Sequence, residues 1–225
     1  MRQDRKSIFQ KLSNKISFYS AYAHAVLLKS GRTFSFQGKN YHYFIHHYNP
    51  TWRNERTVEV PIVWSMVKKC NGKKILEVGN VLSHYLPVSH NVLDKYEKSP
   101  GVLNEDVVDY KPAEKYDLIV SISTLEHVGF DEKNKEPDKI RGAIENLKKC
   151  LSDGGKIAVT LPVGYNPELD RLIDEKKLGF TEQYFLKRVS EDNNWTETTW
   201  DDVKNSEYAE PYPFANAIVV GIIRK

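Results

Sequence analysis

The sequence predicts an α/β fold built on a mostly parallel sheet whose final strand runs antiparallel. Three observations predict it. Short apolar runs recur at Ile75-Leu76-Glu77-Val78, Asn91-Val92-Leu93, Val102-Leu103, Tyr116 to Ser121 and Lys156 to Leu161, each of a length suited to a buried strand. Helical spacing appears between strands, most clearly over 137–151, where Ile140, Ala143, Ile144, Leu147 and Leu151 share one face. Strand ends are marked by Gly79 and by the acids Asp94 and Glu105-Asp106, as where strands of a parallel sheet open toward a ligand.

Taken in order, residues 7–29 read as a helix through Ile8, Leu12, Ile16, Tyr19, Ala23, Val26 and Leu27, ended by Gly31. Residues 34–52 are dense in aromatics and histidines and give no clear secondary structure. Pro61 suits a first helical turn, followed by Val63, Met66, Val67 and Cys70, with Asn71-Gly72 as the stop. About a dozen residues separate Gly79 from the Asn91 strand, so the crossover helix must be very short. Asn166-Pro167-Glu168 is an N-cap and first-turn signal, with Gly179 as the stop. Strands near Tyr184 to Val189 and Ala215 to Ile223 have no helix between them and are expected to supply an antiparallel edge.

A chain of 225 residues suits one α/β domain with an extension. Its 33 basic and 30 acidic residues leave a charge of +3, too little for a nucleic-acid surface, so no nucleic acid is expected as a partner. Cys70 and Cys150 fit no disulfide or metal framework, which points to reduced thiols in a cytoplasmic setting. No run approaches the ~20 apolar residues of a membrane span. Arg2, Arg5, Lys6, Lys11 and Lys15 precede an apolar stretch broken by tyrosines, serines and His24, which argues against a secretory signal and leaves a basic helix suited to a membrane surface or a partner. His42, His46 and His47 lack a carboxylate at helical spacing, so no metal is expected.

Glu77 stands inside a buried strand and needs a hydrogen-bonding reason to be there, and Gly79 opens bare backbone to a ligand. In sequence, Ile75-Leu76-Glu77-Val78-Gly79, Asp94, Glu105-Asp106, Tyr116-Asp117-Leu118-Ile119-Val120 and Leu125-Glu126-His127-Val128 resemble a class I S-adenosylmethionine-dependent methyltransferase of the small-molecule branch. Leu151 to Ile157 is similar to that family's turn into its fifth strand, and the resemblance spans residues 71–225. It implies a Rossmann-like sheet, with 61–225 as the S-adenosylmethionine-binding domain; 1–60 stand outside it as a helical and aromatic extension, a candidate substrate lid.

The same resemblance implies roles for individual residues. Glu77, Gly79, Asn80, Val81 and Ser83 would form the loop whose N–H groups face the amino-acid part of the cofactor. Asp94, with Lys95 beside it, would meet the ribose hydroxyls; Glu105 and Asp106 would face the adenine amino group, and Val107 would pack on its ring. Ser121, Ser123 and Thr124 would lie beneath the methionine portion. His127, with Glu126, is the candidate general base. Val81 and Ser83 occupy the second and third glycine places of the family's loop, so this turn is expected to close differently.

For the acceptor, Tyr41, His46 and Tyr48 offer aromatic faces with polar tips, Arg53 and Arg56 offer an anion site or partners for Glu55 and Glu59, and Tyr165, Trp195 and Trp200 are candidates for the pocket rim. A small polar acceptor methylated on oxygen, with nitrogen as the second choice, such as a saccharide or carrier-linked glycan, is the expectation. The alternatives are a methyltransferase-fold binding or assembly protein without turnover, and an RNA methyltransferase. A dinucleotide oxidoreductase fits worse, because the GxGxxG spacing is absent.

Overall fold

The computed structural model describes residues 2–225, with side chains described from Gln10 onward except at Lys11. A long helix, α1 (Arg2–Lys29), leads into a hairpin of β1 (Thr33–Phe36) and β2 (Lys39–His42). Its two turn residues, Gln37 and Gly38, both have positive φ, the requirement of the tight turn that matches strand twist. Helix α2 (Arg56–Lys69) then delivers the chain to β3 (Ile75–Val78). The remaining strands are β4 (Asn91–Leu93), β5 (Val102–Leu103), β6 (Tyr116–Ile122), β7 (Leu151–Pro162), β8 (Glu182–Arg188), β9 (Trp195–Thr198) and β10 (Ala217–Arg224). Helix α3 (Lys139–Cys150) joins β6 to β7, α4 (Pro167–Asp174) joins β7 to β8, and the one-turn α5 (Trp200–Val203) follows β9.

Strands β3 to β10 form one eight-stranded sheet in the order β5-β4-β3-β6-β7-β10-β8-β9. The pairs from β5 to β7 are parallel, and β10 runs antiparallel to both β7 and β8. From β3 the chain steps outward to β4 and β5, then returns to β6 on the other side of β3. This reversal opens a crevice beyond the carboxyl ends of β3 and β6, where open α/β sheets bind ligands. Both sheet faces are covered, which is why the strands read as short apolar runs. Leu76, Val78 and Ile119 pack with Ile144 and Leu147 of α3; Ile75, Leu118 and Val120 pack with Val58, Ile62 and Val63 of α2 and with Phe34 and Phe36 of the hairpin.

Several sequence expectations need correction. Pro61 lies inside α2, five residues past its start. Proline provides no N–H for the Thr57 carbonyl one turn back; that carbonyl instead accepts the N–H of Phe44 at 2.9 Å, so the helix passes through the proline. The boundary expected between residues 60 and 61 therefore falls within a helix. Leu12, Ile16, Tyr19 and Leu27 of α1 are exposed, and the helix meets the body through Phe18 and Tyr22 on Trp52 and through buried Ala25. Of the basic residues ahead of them, the side chains of Arg2, Arg5, Lys6 and Lys11 lie outside the described residues. The final strand is interior, and the antiparallel edge is β9, which the sequence did not announce. Helix α4 ends at Asp174, with Lys176 rather than Gly179 making the first left-handed turn. The crossover after Gly79 holds a single 3-10 turn, Leu82–His84. No helix among the described residues is long and apolar enough to cross a membrane.

Candidate active site

The β3 turn is held by carboxylates. Glu77 is fully buried, and its Oε1 accepts the N–H groups of Val81 at 2.9 Å and Leu82 at 2.7 Å while Oε2 meets His90 Nε2 at 2.8 Å. Asn80 donates its N–H to Asp94 Oδ2 at 3.1 Å, and Gly79 donates to the Leu93 carbonyl at 2.8 Å. The loop amides from Gly79 to Leu82 are thus all engaged within the protein, which corrects the expectation that they face a ligand. Only Gly79 needs positive φ, +86°; Val81 sits in the right-handed region, so its branched side chain costs the turn nothing. Ser83 bonds to Asn80 within the same turn.

A methyl group at position 79 would fall 2.1 Å from Thr124 Oγ1. Gly79→Ala is therefore expected to destabilise the fold by about 2 kcal/mol or more through strained backbone and this overlap, read by urea denaturation. A wild-type midpoint would contradict that account of the turn.

Against this turn lies a cleft of about 590 Å³. Leu93, Val107 and Val128 give it apolar walls, and Gly79 and Thr124 form one end. Its charged lining is one-sided, with Asp94, Glu97, Glu105, Asp106, Asp131 and Glu132 against Lys95. Asp94 Oδ1 accepts the N–H groups of Tyr96 at 2.9 Å and Glu97 at 2.8 Å. Burial pushes its pKa up, but these bonds and the one from Asn80 prevail and hold it below the ordinary value. Asp106 bonds both Lys95 and Lys139 at 2.8 Å, and Glu132 joins the same two lysines. Burial opposes the lysines there too, yet they bring Asp106 down to about 2.

A second, inner cavity of about 200 Å³ adjoins the cleft, with His127 lining both. His127 Nδ1 meets Asp131 Oδ2 at 2.5 Å, and Tyr165 donates its hydroxyl to the same oxygen at 2.6 Å. Glu126 is 2 % exposed; its Oε2 has no hydrogen-bond partner among the described residues, and its Oε1 lies 3.6 Å from His127 Nε2. Burial raises the Glu126 pKa well above the usual carboxylate range. Arg56 pairs with Glu59 at 2.5 Å and reaches the Ser123 carbonyl at 3.4 Å. Ser123, at φ +35°, turns its hydroxyl onto Glu59 Oε1 at 2.6 Å. Glu55 accepts the Ala215 N–H at 3.2 Å, and burial followed by the charge of Glu59 raises its pKa.

Tyr165 is presented by a loop that Asp170 secures, its Oδ2 accepting the Gly164 N–H at 3.0 Å while Oδ1 has no partner among the described residues. Burial raises the Asp170 pKa to about 6 from 3.8, partly offset by that N–H. The folded chain then binds more protons than the unfolded one between these values, so this contribution to stability falls as pH rises through that window. Asp170→Asn is expected to stabilise the protein by about 1–2 kcal/mol at neutral pH and little near pH ~4. Thermal denaturation at the two pH values checks this; a gain of equal size at both would contradict it.

Of the residues expected at the site, Gly79, Asp94, Lys95, Glu105, Asp106, Val107, Thr124 and His127 line the cleft. Arg56, Ser123, Glu126 and Tyr165 line the inner cavity. Glu77, Asn80, Val81 and Ser83 build the loop behind it. Ser121 is fully buried and donates to the Val78 carbonyl at 2.9 Å, so it serves the sheet. Trp195 is buried in β9 with its indole N–H on Asn193, and Trp200 bonds Asp174, so neither rims a cavity. Arg53 is exposed on the 3-10 turn near α1. Tyr41 stacks on Phe34 under the hairpin. His46 and Tyr48 pack on Tyr85, and Tyr48 also stacks at 4.6 Å on His84, whose Nε2 meets Glu97 at 3.2 Å. Among the described residues, no group of three His, Cys, Asp or Glu could hold a metal ion.

Sequence reasoning passed over Glu97, Asp131, Glu132 and Tyr208 as site residues. Asp131 had a signal, standing four residues after His127; Tyr208 had none, since an irregular loop brings it in.

No family model matches the chain, and no curated protein matches it in sequence. Among solved structures it is similar to the N-methyltransferase NodS from Bradyrhizobium japonicum WM9 in complex with S-adenosyl-L-homocysteine, at 14% identity and a TM-score of 0.47, over 76% of this chain and 87% of that one. It is also similar to the 1,6-didemethyltoxoflavin-N1-methyltransferase of Burkholderia thailandensis, at 13% identity and a TM-score of 0.44, over 73% of this chain and 75% of that one.

Proposed function

We propose that this chain is an S-adenosylmethionine-dependent methyltransferase acting on a small polar acceptor. The observation that carries the reading is the acidic lining of the switch-point cleft, six carboxylates of which Lys95 and Lys139 pair two, beside a turn whose amides are already taken. A dinucleotide needs free amides or basic groups for its phosphates. An unphosphorylated nucleoside bearing a sulfonium cation needs the opposite, and the residues fit it. Asp94 Oδ2 carries one hydrogen bond and can accept another from a ribose hydroxyl; Leu93 and Val107 suit the faces of a base; Gly79 admits the ligand where a Cβ would overlap Thr124. When bound, the sulfonium supplies an electrophilic methyl group, which the acceptor's lone pair takes while the C–S electrons stay on sulfur.

The protein's own part is placement and proton handling. His127 bridges cleft and cavity; with Nδ1–H donated to Asp131, its Nε2 is the free acceptor for an acceptor proton. The inner cavity, walled by Tyr165 and Tyr208, suits a polar ring such as a saccharide unit. Oxygen is the acceptor atom that the sequence favours, with nitrogen second. Unpaired Cys70 and Cys150 suit a cytoplasmic setting, where thiols stay reduced. Incubation with methyl-labelled S-adenosylmethionine and a panel of polar acceptors, with mass detection of the product, tests the reading. One methylated product supports it; a folded chain that binds the cofactor and methylates nothing would favour the binding-protein alternative.

A further inference from the structure

We propose that the methylated atom is an amine nitrogen, bound in the inner cavity as an ammonium ion against Glu126; the inference rests on the methyltransferase reading and deepens it. The cavity is lined by Glu55, Arg56 and Glu126, with Glu59 behind Arg56. Among the described residues, Arg56 is the one permanent cation there, and it is committed to Glu59. Glu55 has the Ala215 N–H, whereas Glu126 Oε2 has no partner among the described residues. A buried carboxyl oxygen without a partner is unfavourable, so the site is built for a donor that the described residues do not supply.

The donor's charge follows from the surroundings. A hydroxyl would bring one donor and no charge to stabilise Glu126 as a carboxylate. An ammonium brings up to three donors and a positive charge. Tyr165 and Tyr208, with ring centroids 5.0 Å apart and planes at 76°, wall the same cavity and offer the aromatic surface that attracts cations.

An ammonium ion has no lone pair, so a proton must leave before the nitrogen can react. One N–H proton passes to Glu126 and on to His127 Nε2, 3.6 Å from its Oε1, which leaves a neutral amine; burial favours the carboxylic acid on the way. The nitrogen regains its positive charge as it takes the methyl group. The groups that face Glu126 and bear on its titration are Glu55, Arg56 and Glu59 from α2, His127 from the adjoining turn, and Tyr165 and Tyr208 from the loops. Burial raises the Glu126 pKa in the free protein, so an ammonium competes with that proton and binds more tightly as pH rises.

Isothermal titration of the full chain with benzylamine and with benzyl alcohol, each with and without saturating S-adenosylhomocysteine, decides the matter. The expected result is benzylamine binding on the order of tenfold tighter than the alcohol, with the preference growing from pH ~6 to ~8 while the amine stays protonated. Glu126→Gln should erase that preference and keep S-adenosylhomocysteine affinity, which also shows that the variant folds; Glu126→Asp, which keeps the charge, should retain part of it. Equal binding of the two probes, or an unchanged preference in Glu126→Gln, would overturn the proposal. Cofactor binding without amine preference removes the amine site alone, whereas amine preference in a chain that binds no S-adenosylhomocysteine removes the methyltransferase reading and leaves an amine-binding site.

Discussion

Asp94→Ala is expected to raise the dissociation constant of S-adenosylhomocysteine roughly a hundredfold or more, measured by isothermal titration. A hydrogen bond to a charged group is worth about 1.5–3 kcal/mol, and Asp94 Oδ2 has room for one from the ribose diol. The loss has a second source in the protein itself. Asp94 collects the N–H groups of Asn80, Tyr96 and Glu97, so its removal also frees the two loops that frame the cleft. Asp94→Asn separates the sources, because an amide oxygen can still accept from one loop while the charge is gone. An intermediate loss of affinity is expected from asparagine. A dissociation constant unchanged in both variants would remove Asp94 from the cofactor site.

Replacing His127 by alanine should lower the turnover number by roughly 10²–10⁴, the usual worth of a positioned general base, with S-adenosylhomocysteine affinity close to wild type. Asp131→Asn should reproduce part of the loss, since Asp131 fixes which ring nitrogen is free. Single-turnover measurement with saturating cofactor checks this. A variant at His127 that loses cofactor affinity and turnover in equal measure would assign the ring to the cleft wall instead.

Much of the fold was legible because parallel strands covered on both faces leave short apolar runs, and five such runs stand in order from Ile75 to Leu161, broken by Glu77 in the first and exposed at Leu103 in the edge strand. The cap at Asn166 was legible for a local reason: its side chain accepts the N–H groups of Glu168 and Leu169, a bond made within three residues of sequence. Features that depend on distant partners were hidden. Pro61 signals a helix start, and only the Phe44 N–H arriving at Thr57 lets α2 begin at Arg56. Strand β9 is four residues long with Trp195 buried, and nothing in a polar segment announces that it closes the sheet edge.

The site divides in the same way. Glu77, Gly79 and Asp94 lie in the turn after β3 and at the end of β4, so their meeting follows from strand order. Glu77 had raised the question of why a carboxylate stands inside a strand, and the two amides at Val81 and Leu82 answer it. They also explain why Val81 and Ser83 are tolerated, because the carboxylate closes the turn in place of flexible glycine backbone. The inner cavity was not legible as a unit. Glu55, Glu126 and Tyr208 come from α2, the turn after β6 and a loop before β10, and sequence spacing has no means of showing that they share 200 Å³.

The central claim is that the acidic cleft accepts the unphosphorylated nucleoside of a sulfonium cofactor and refuses a phosphate-bearing one, and side-by-side titration of the full chain with S-adenosylhomocysteine and with NAD tests it most directly. The account predicts one S-adenosylhomocysteine bound per chain and no saturable heat with NAD. Saturable binding of NAD with none of S-adenosylhomocysteine would contradict it.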